Sequence, residues 1–196
     1  MSSWLSGLSC PEKTSYHHIR LRRPDESYRE VLARFGQSQS KVILIFCGNG
    51  EDNALLTAFE QNCDDLDQSS DEDIFYDSDS FDLGPDTLIA FCSNSGNQLG
   101  PDFARANGRK FLGFSDQLCF LDGANQECDS WWRKILNGLI CKVMEDEVIN
   151  QQTVDLVRSL FQEAYDYFCS EEGGIVEESL GMRMCLRRNM AALCNY

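Results

Sequence analysis

Histidine is almost missing from this chain: His17 and His18 are the only two in 196 residues. Everything after residue 18 therefore lacks the usual imidazole base and metal ligand. No Cys-x-x-Cys pair occurs among the ten cysteines, so neither a zinc site nor any other metal centre is expected. No apolar run approaches the ~20 residues of a membrane span. A basic stretch followed by a long apolar one is also missing from the N-terminus, so no secretory leader is expected. Many cysteines without a leader fit a cytoplasmic protein with reduced thiols, most of them small core residues. Neither GxGxxG nor GxxxxGK[ST] is found, so no nucleotide cofactor is expected.

Basic residues are unevenly scarce. Residues 42–104 contain no Lys or Arg but hold 14 of the 32 carboxylates, leaving 18 against all 17 basic side chains elsewhere. One 63-residue segment thus carries nearly the whole net charge of −15. Such a balance argues against nucleic acid as a partner, because phosphate binding needs a basic face. It is compatible with a basic protein or peptide partner.

What is present is enough for a core. Hydrophobic residues make up 42% of the chain, which suits one folded domain over 1–196 rather than a disordered chain. Residues 1–15 read as an irregular segment. His18 to Arg22 alternates like a strand, and Ser27 with Glu30 matches a capping box before a helix that ends near Gly36. Residues 42–46 (VILIF), 87–91 (TLIAF) and 110–114 (KFLGF) are continuous apolar runs of the kind found in buried parallel strands. Residues 52–61 suggest a short helix, and 62–86 an acidic loop holding Ile74, Phe75, Tyr76 and Phe81. Helical spacing returns with Leu99, Phe103 and Ala106, stopping at Asn107-Gly108. It returns again from Trp131 to Val143 and from Val154 to Phe168. Residues 174–196 read as a final strand or helix. Strands alternating with helices predict an α/β domain with a mainly parallel sheet and helices on both faces. In such sheets ligands bind beyond the carboxyl ends of the strands.

Two of the predicted strands end in small polar turns, Cys47-Gly48-Asn49-Gly50 and Cys92-Ser93-Asn94-Ser95-Gly96. Leu99-Gly100, Asn107-Gly108 and Phe111-Leu112-Gly113-Phe114 follow the second. Over about residues 40–116 this pattern resembles the caspase-like cysteine peptidases, above all their CHAT and gingipain-like branch. There, one strand ends in Gly-His-Gly and a later one in a cysteine-bearing turn. The resemblance implies a three-layer α/β sandwich with Cys92 as nucleophile and the amides of Gly50 and Cys92 facing the oxyanion. The base would belong at position 49, which here holds Asn49. Asparagine takes no proton from a thiol at neutral pH, and the acidic surroundings are expected to raise the thiol pKa further. Asn49 therefore reads either as an inactivating replacement in a cysteine endopeptidase or as the mark of a non-catalytic pseudopeptidase that keeps the cleft for binding. A nucleotide or small-ligand domain is the remote alternative.

In the resembled family the stretch between the two catalytic strands borders the cleft. The acidic segment would then attract a basic peptide, with Asp52 and Asp86 as candidate substrate contacts. The plain alternatives are a solvated loop at 62–86 and an ordinary turn at Gly48-Asn49-Gly50. The acids of that loop lack the glycine and glutamate of a calcium-binding loop.

Overall fold

The computed structural model describes residues 42–57, 73–77, 85–106, 108–121, 125–146 and 149–196. In chain order these form β1 (Ile43–Cys47), β2 (Asn49–Gly50), β3 (Ala54–Thr57), β4 (Asp73–Asp77), β5 (Thr87–Phe91), α1 (Leu99–Arg105), β6 (Lys110–Phe114), α2 (Gln126–Asp146), α3 (Gln151–Cys169), the single turn α4 (Glu171–Gly174), α5 (Ser179–Ala192) and β7 (Leu193–Asn195). The strand expected at 18–22, the helix from Ser27 to Gly36 and the irregular segment 1–15 lie outside the described residues, as do His17 and His18.

The three apolar runs become the spine of one sheet, ordered β1-β5-β6-β7. β1 and β5 run parallel in register from Ile43 opposite Thr87 to Cys47 opposite Phe91. β5 and β6 are also parallel, and only β7 is antiparallel, on β6. Continuous apolar runs suit strands covered on both faces, and the side chains sort with the two-residue period of a strand. Leu88, Ala90 and Cys92 join Phe46, Leu55, Leu99, Phe103 and Phe111 in one cluster. Ile89, Phe91, Leu112 and Phe114 join Trp132, Leu136, Val157, Phe161 and Leu186 in the other. The first cluster is covered by α1 and Leu55 of β3, the second by α2, α3 and α5. The result is an α/β fold compatible with a three-layer sandwich.

The long helices follow their sequence signals closely. α3 starts at Asn150, whose side chain accepts from Thr153 N at 3.0 Å, while Thr153 Oγ1 accepts from Asn150 N at 3.3 Å. Two backbone donors that a helix start otherwise leaves unpaired are thereby satisfied. Asn125 caps α2 with a single such bond, its Oδ1 accepting from Cys128 N at 2.9 Å. α2 and α3 come close at Gly138, where a methyl group would lie 2.6 Å from Leu160 Cδ1. α1 ends before Gly108, which takes φ +67 and so turns the chain back toward the sheet.

Two expectations are corrected. Of the helix expected at 52–61, the described residues 52–57 hold β3 and the remainder lies outside the described residues, and part of the loop expected at 62–86 is β4. With β2 they make a small antiparallel sheet ordered β2-β3-β4. Four residues, Ala54 to Thr57, are too few for periodicity to separate helix from strand. Leu55, with no exposed surface, is held by the cluster around Phe46 and Cys92 rather than by its own segment's preference. In β4, Ile74-Phe75-Tyr76 is a β-branched and aromatic triplet with strand propensity that the flanking aspartates hide. The final segment, 174–196, holds both a helix and a strand. Among the described residues no helix is long and apolar enough to cross a membrane.

Candidate functional site

The parallel register of β1 and β5 decides where the two polar turns go. Cys47 lies opposite Phe91, so Gly48 and Cys92 leave the carboxyl edge of the sheet side by side. Gly48 N–H donates to Phe91 O at 3.4 Å across this edge. The chain then enters β2, where Gly50 pairs with Leu55. Gly50 is packed directly on the candidate nucleophile: a methyl there would lie 2.5 Å from Cys92 Sγ and 2.8 Å from Ser93 O. Only a residue without Cβ fits so close an approach. Asn49 is exposed and immediately precedes this contact.

The turn after Cys92 is held from several sides. Asn94 takes φ 60, a left-handed conformation that asparagine tolerates better than most residues. Its N–H donates to Asp116 O at 3.2 Å. Ser93 Oγ accepts from Leu118 N at 3.0 Å, which ties the turn to the segment following β6. Ser95 is fully buried, and its hydroxyl donates to Cys92 O at 3.4 Å. Gly96 N–H reaches Phe114 O at 2.9 Å. The rim is therefore a set of turns locked to one another.

Burial governs the thiol. Cys92 is 1% exposed, and desolvation pushes its pKa up from 9.0 to about 11, with a hydrogen bond from Ser95 working the other way. At neutral pH roughly one such thiol in 10⁴ is ionised. The sequence pointed to acidic neighbours as the reason for a high pKa; the structure gives loss of solvent. Cys47, at the end of the adjacent strand, is pushed up to about 12, first by burial and then by the neighbouring Cys92 sulfur. The Cys47 thiol packs on the α2, α3 and α5 side and Cys92 on the α1 side, so this influence acts through the sheet edge, a relation that their separation in sequence does not reveal.

The two candidate substrate contacts part company. Asp52 is at the carboxyl edge. Its backbone oxygen accepts from Gln98 N at 3.1 Å and Leu99 N at 2.7 Å, and its carboxylate accepts from Asn97 Nδ2 at 3.0 Å. It pins the β2–β3 turn to the start of α1 and remains exposed. Asp86 is at the opposite edge. Its carboxylate accepts from Val42 N at 2.8 Å, and its backbone links Val42 and Lys110. The five residues of β5 separate it from Cys92, six steps or roughly 20 Å at the rise of a strand. The structure therefore brings Cys92, Gly50, Asn49 and Asp52 to one rim and leaves Asp86 away from it. Of the acidic stretch 62–86, residues 73–77 and 85–86 are among those described.

Comparison with protein-family models, with curated proteins and with solved structures finds no match. The site is therefore argued from its own residues. Sequence reasoning missed Cys47, Ser95 and Leu55. The available signals were Ser95 three positions after Cys92 and Cys47 at a strand end matching that of Phe91. Among the described residues no group of three or more His, Cys, Asp or Glu could hold a metal ion.

Proposed function

We propose that the carboxyl-edge rim is the cleft of a caspase-like cysteine endopeptidase acting on protein substrates near basic residues, with its base position occupied by Asn49. The observation that carries this reading is the contact between Gly50 and Cys92 Sγ. It joins the two glycine-bearing turns that such chemistry requires on one edge of the sheet. Cys92 Sγ would attack the scissile carbonyl, and the amides of Gly50 and Cys92 would face the resulting oxyanion. A base at position 49 would take the thiol proton and return it to the leaving amine. Asn49 does neither, and burial keeps the Cys92 thiol protonated. In this form the chain is expected to be inactive. The 14 carboxylates of residues 42–104 support a basic substrate. The experiment is Asn49→His assayed with Arg- and Lys-containing fluorogenic peptides. Cleavage that disappears on Cys92→Ala supports the reading; no cleavage by Asn49→His sinks it.

The burial of Cys92 together with Asn49 favours a second reading. On it the chain is a non-catalytic pseudopeptidase that holds a basic partner segment in the same cleft. Binding of an Arg/Lys-rich peptide to the unaltered chain would then weaken as salt rises past ~0.15 M. Salt-insensitive binding would count against an acidic cleft.

A further inference from the structure

The segment after β6, residues 115–121, leaves the same edge of the sheet as Cys92 and runs onto α5. Asn189 of α5, fully buried, clamps it at one residue. Its Oδ1 accepts from Cys119 N at 2.9 Å, and its Nδ2 donates to Cys119 O at 2.8 Å. Cys185 lies one helical turn before Asn189, on the same side of α5. Its thiol lies close enough to Cys119 for the Cys119 sulfur to raise its pKa, while the Cys119 thiol itself donates to Gln117 O at 3.7 Å. Arg188, also on α5, pairs with Asp116 Oδ1 at 3.0 Å and lies within electrostatic reach of Cys119. Both cysteines are partly exposed and free. A clamp that holds the Cys119 backbone beside the helix carrying Cys185, with a guanidinium in electrostatic reach, favours oxidation of these two thiols as a pair.

We propose that Cys119 and Cys185 form a peroxide-oxidised pair that closes to a disulfide, with Arg188 positioning the reaction at Cys119. In the first step the Cys119 sulfur attacks one oxygen of hydrogen peroxide. An S–O bond forms, the O–O bond breaks, and the second oxygen leaves as water after taking up a proton, beside the Arg188 guanidinium. Cys119 is then a sulfenic acid. In the second step the Cys185 sulfur attacks the Cys119 sulfur. The S–S bond forms, the S–O bond breaks, and the hydroxyl leaves as water with the Cys185 proton. Two thiols lose two electrons in all, and one peroxide is reduced to two waters. Burial and the adjacent Cys119 sulfur push the Cys185 thiol up to about 11, which suits it to the second step rather than the first. The disulfide would fasten residues 115–121 to α5. Asp116 and Leu118 of that segment hold Asn94 and Ser93, so the bond would stiffen the support under the turn that carries Cys92. The inference does not depend on what the cleft binds.

The test treats the folded, reduced full chain with hydrogen peroxide at neutral pH, blocks free thiols and maps linked peptides by mass spectrometry without reductant. The expected product is one dominant link, Cys119 to Cys185, two hydrogens lighter than the reduced pair, while exposed Cys169 stays unlinked. Arg188→Gln is expected to slow its formation about tenfold. In Cys185→Ser a sulfenic acid should accumulate at Cys119 and be trapped by dimedone. The proposal is overturned if the folded chain gives no such link, or if the same mixture of links forms in the folded chain and in urea. An Arg188→Gln variant that oxidises at the unaltered rate would remove the role given to the guanidinium. Because the linkage is read first in the unaltered chain, a variant that fails to fold leaves the result standing.

Discussion

The two faces of the sheet are built differently. One is covered by α2, α3 and α5, and its core contains Trp132, Phe161, Phe168, Leu136 and Leu139, all within 1% of full burial. Its rings pack edge to face, Phe114 on Phe161 and Trp132 on Phe161, an arrangement aromatic pairs prefer. Among the described residues the other face is covered by the seven residues of α1 and by Leu55 of a small sheet. Its cluster is smaller and contains the candidate thiol. Among the described residues the thick face holds the larger share of the buried apolar side chains and hence of the stability they supply. The thin face places a buried sulfur under two turns at the rim, where small changes in packing reach it.

This contrast is open to experiment. The largest effect should come from the thick face: Trp132→Ala removes a fully buried ring and should cost about 3–5 kcal/mol. That would be seen as a lower midpoint of urea denaturation with little change in Cys92 alkylation below the transition. An equal rise in Cys92 alkylation at low urea would show that the faces do not behave separately.

The next effect belongs to the thin face and depends on pH. The Cys92 thiol titrates near 11 in the folded chain, against 9.0 ordinarily. The folded state therefore holds this proton more tightly than the unfolded state. Its contribution is complete below pH 9 and is lost as pH rises through 11, on the order of 2 kcal/mol. Cys47 and Cys128 are also pushed up, so the effect is read as a difference between chains. Cys92→Ala should lose less stability than the unaltered chain between pH 9 and 11. Parallel curves in urea titrations would contradict the assignment of burial as the cause.

Gly50→Ala should cost about 2 kcal/mol, because the new methyl meets Cys92 Sγ at 2.5 Å and the Ser93 backbone at 2.8 Å. It should also raise the rate of Cys92 alkylation at neutral pH, by forcing the turns apart. An unchanged rate would show that the rim accommodates the methyl without opening. The smallest effect should be at the cap of α3. Asn150→Ala should cost about 1 kcal/mol and leave the alkylation rate of Cys92 as it was, because that helix end lies on the thick face.

The legible parts of the fold share a cause. Residues 87–91 and 110–114 were readable as strands because each is a continuous apolar run. α2 and α3 were readable because Trp132, Ile135, Leu139 and Val143, and Val154, Val157, Phe161, Ala164 and Phe168, repeat with a helical period over many turns. The small sheet was not readable. Residues 54–57 carry too few side chains to show a period, and 73–77 owe their pairing to β3 rather than to neighbours in sequence. At the rim, Cys92 and the two glycine-bearing turns could be singled out from their positions at strand ends. Asp86 could not be placed, because closeness in sequence to the acidic stretch says nothing about which edge of a sheet a residue joins.

Strands, helices and the division of the chain into one acidic segment and a balanced remainder follow from patterns a few residues long. Such patterns reflect which side chains can be buried together on one local element. The contact of Gly50 with Cys92, the influence of the Cys92 sulfur on Cys47 and the high pKa of the Cys92 thiol belong to another scale. Each depends on strands far apart in sequence lying in one register and on Leu55, Leu99 and Phe103 excluding water from the same cluster. Desolvation is a property of everything around a group, so it is set by the packed fold and cannot be read along the chain.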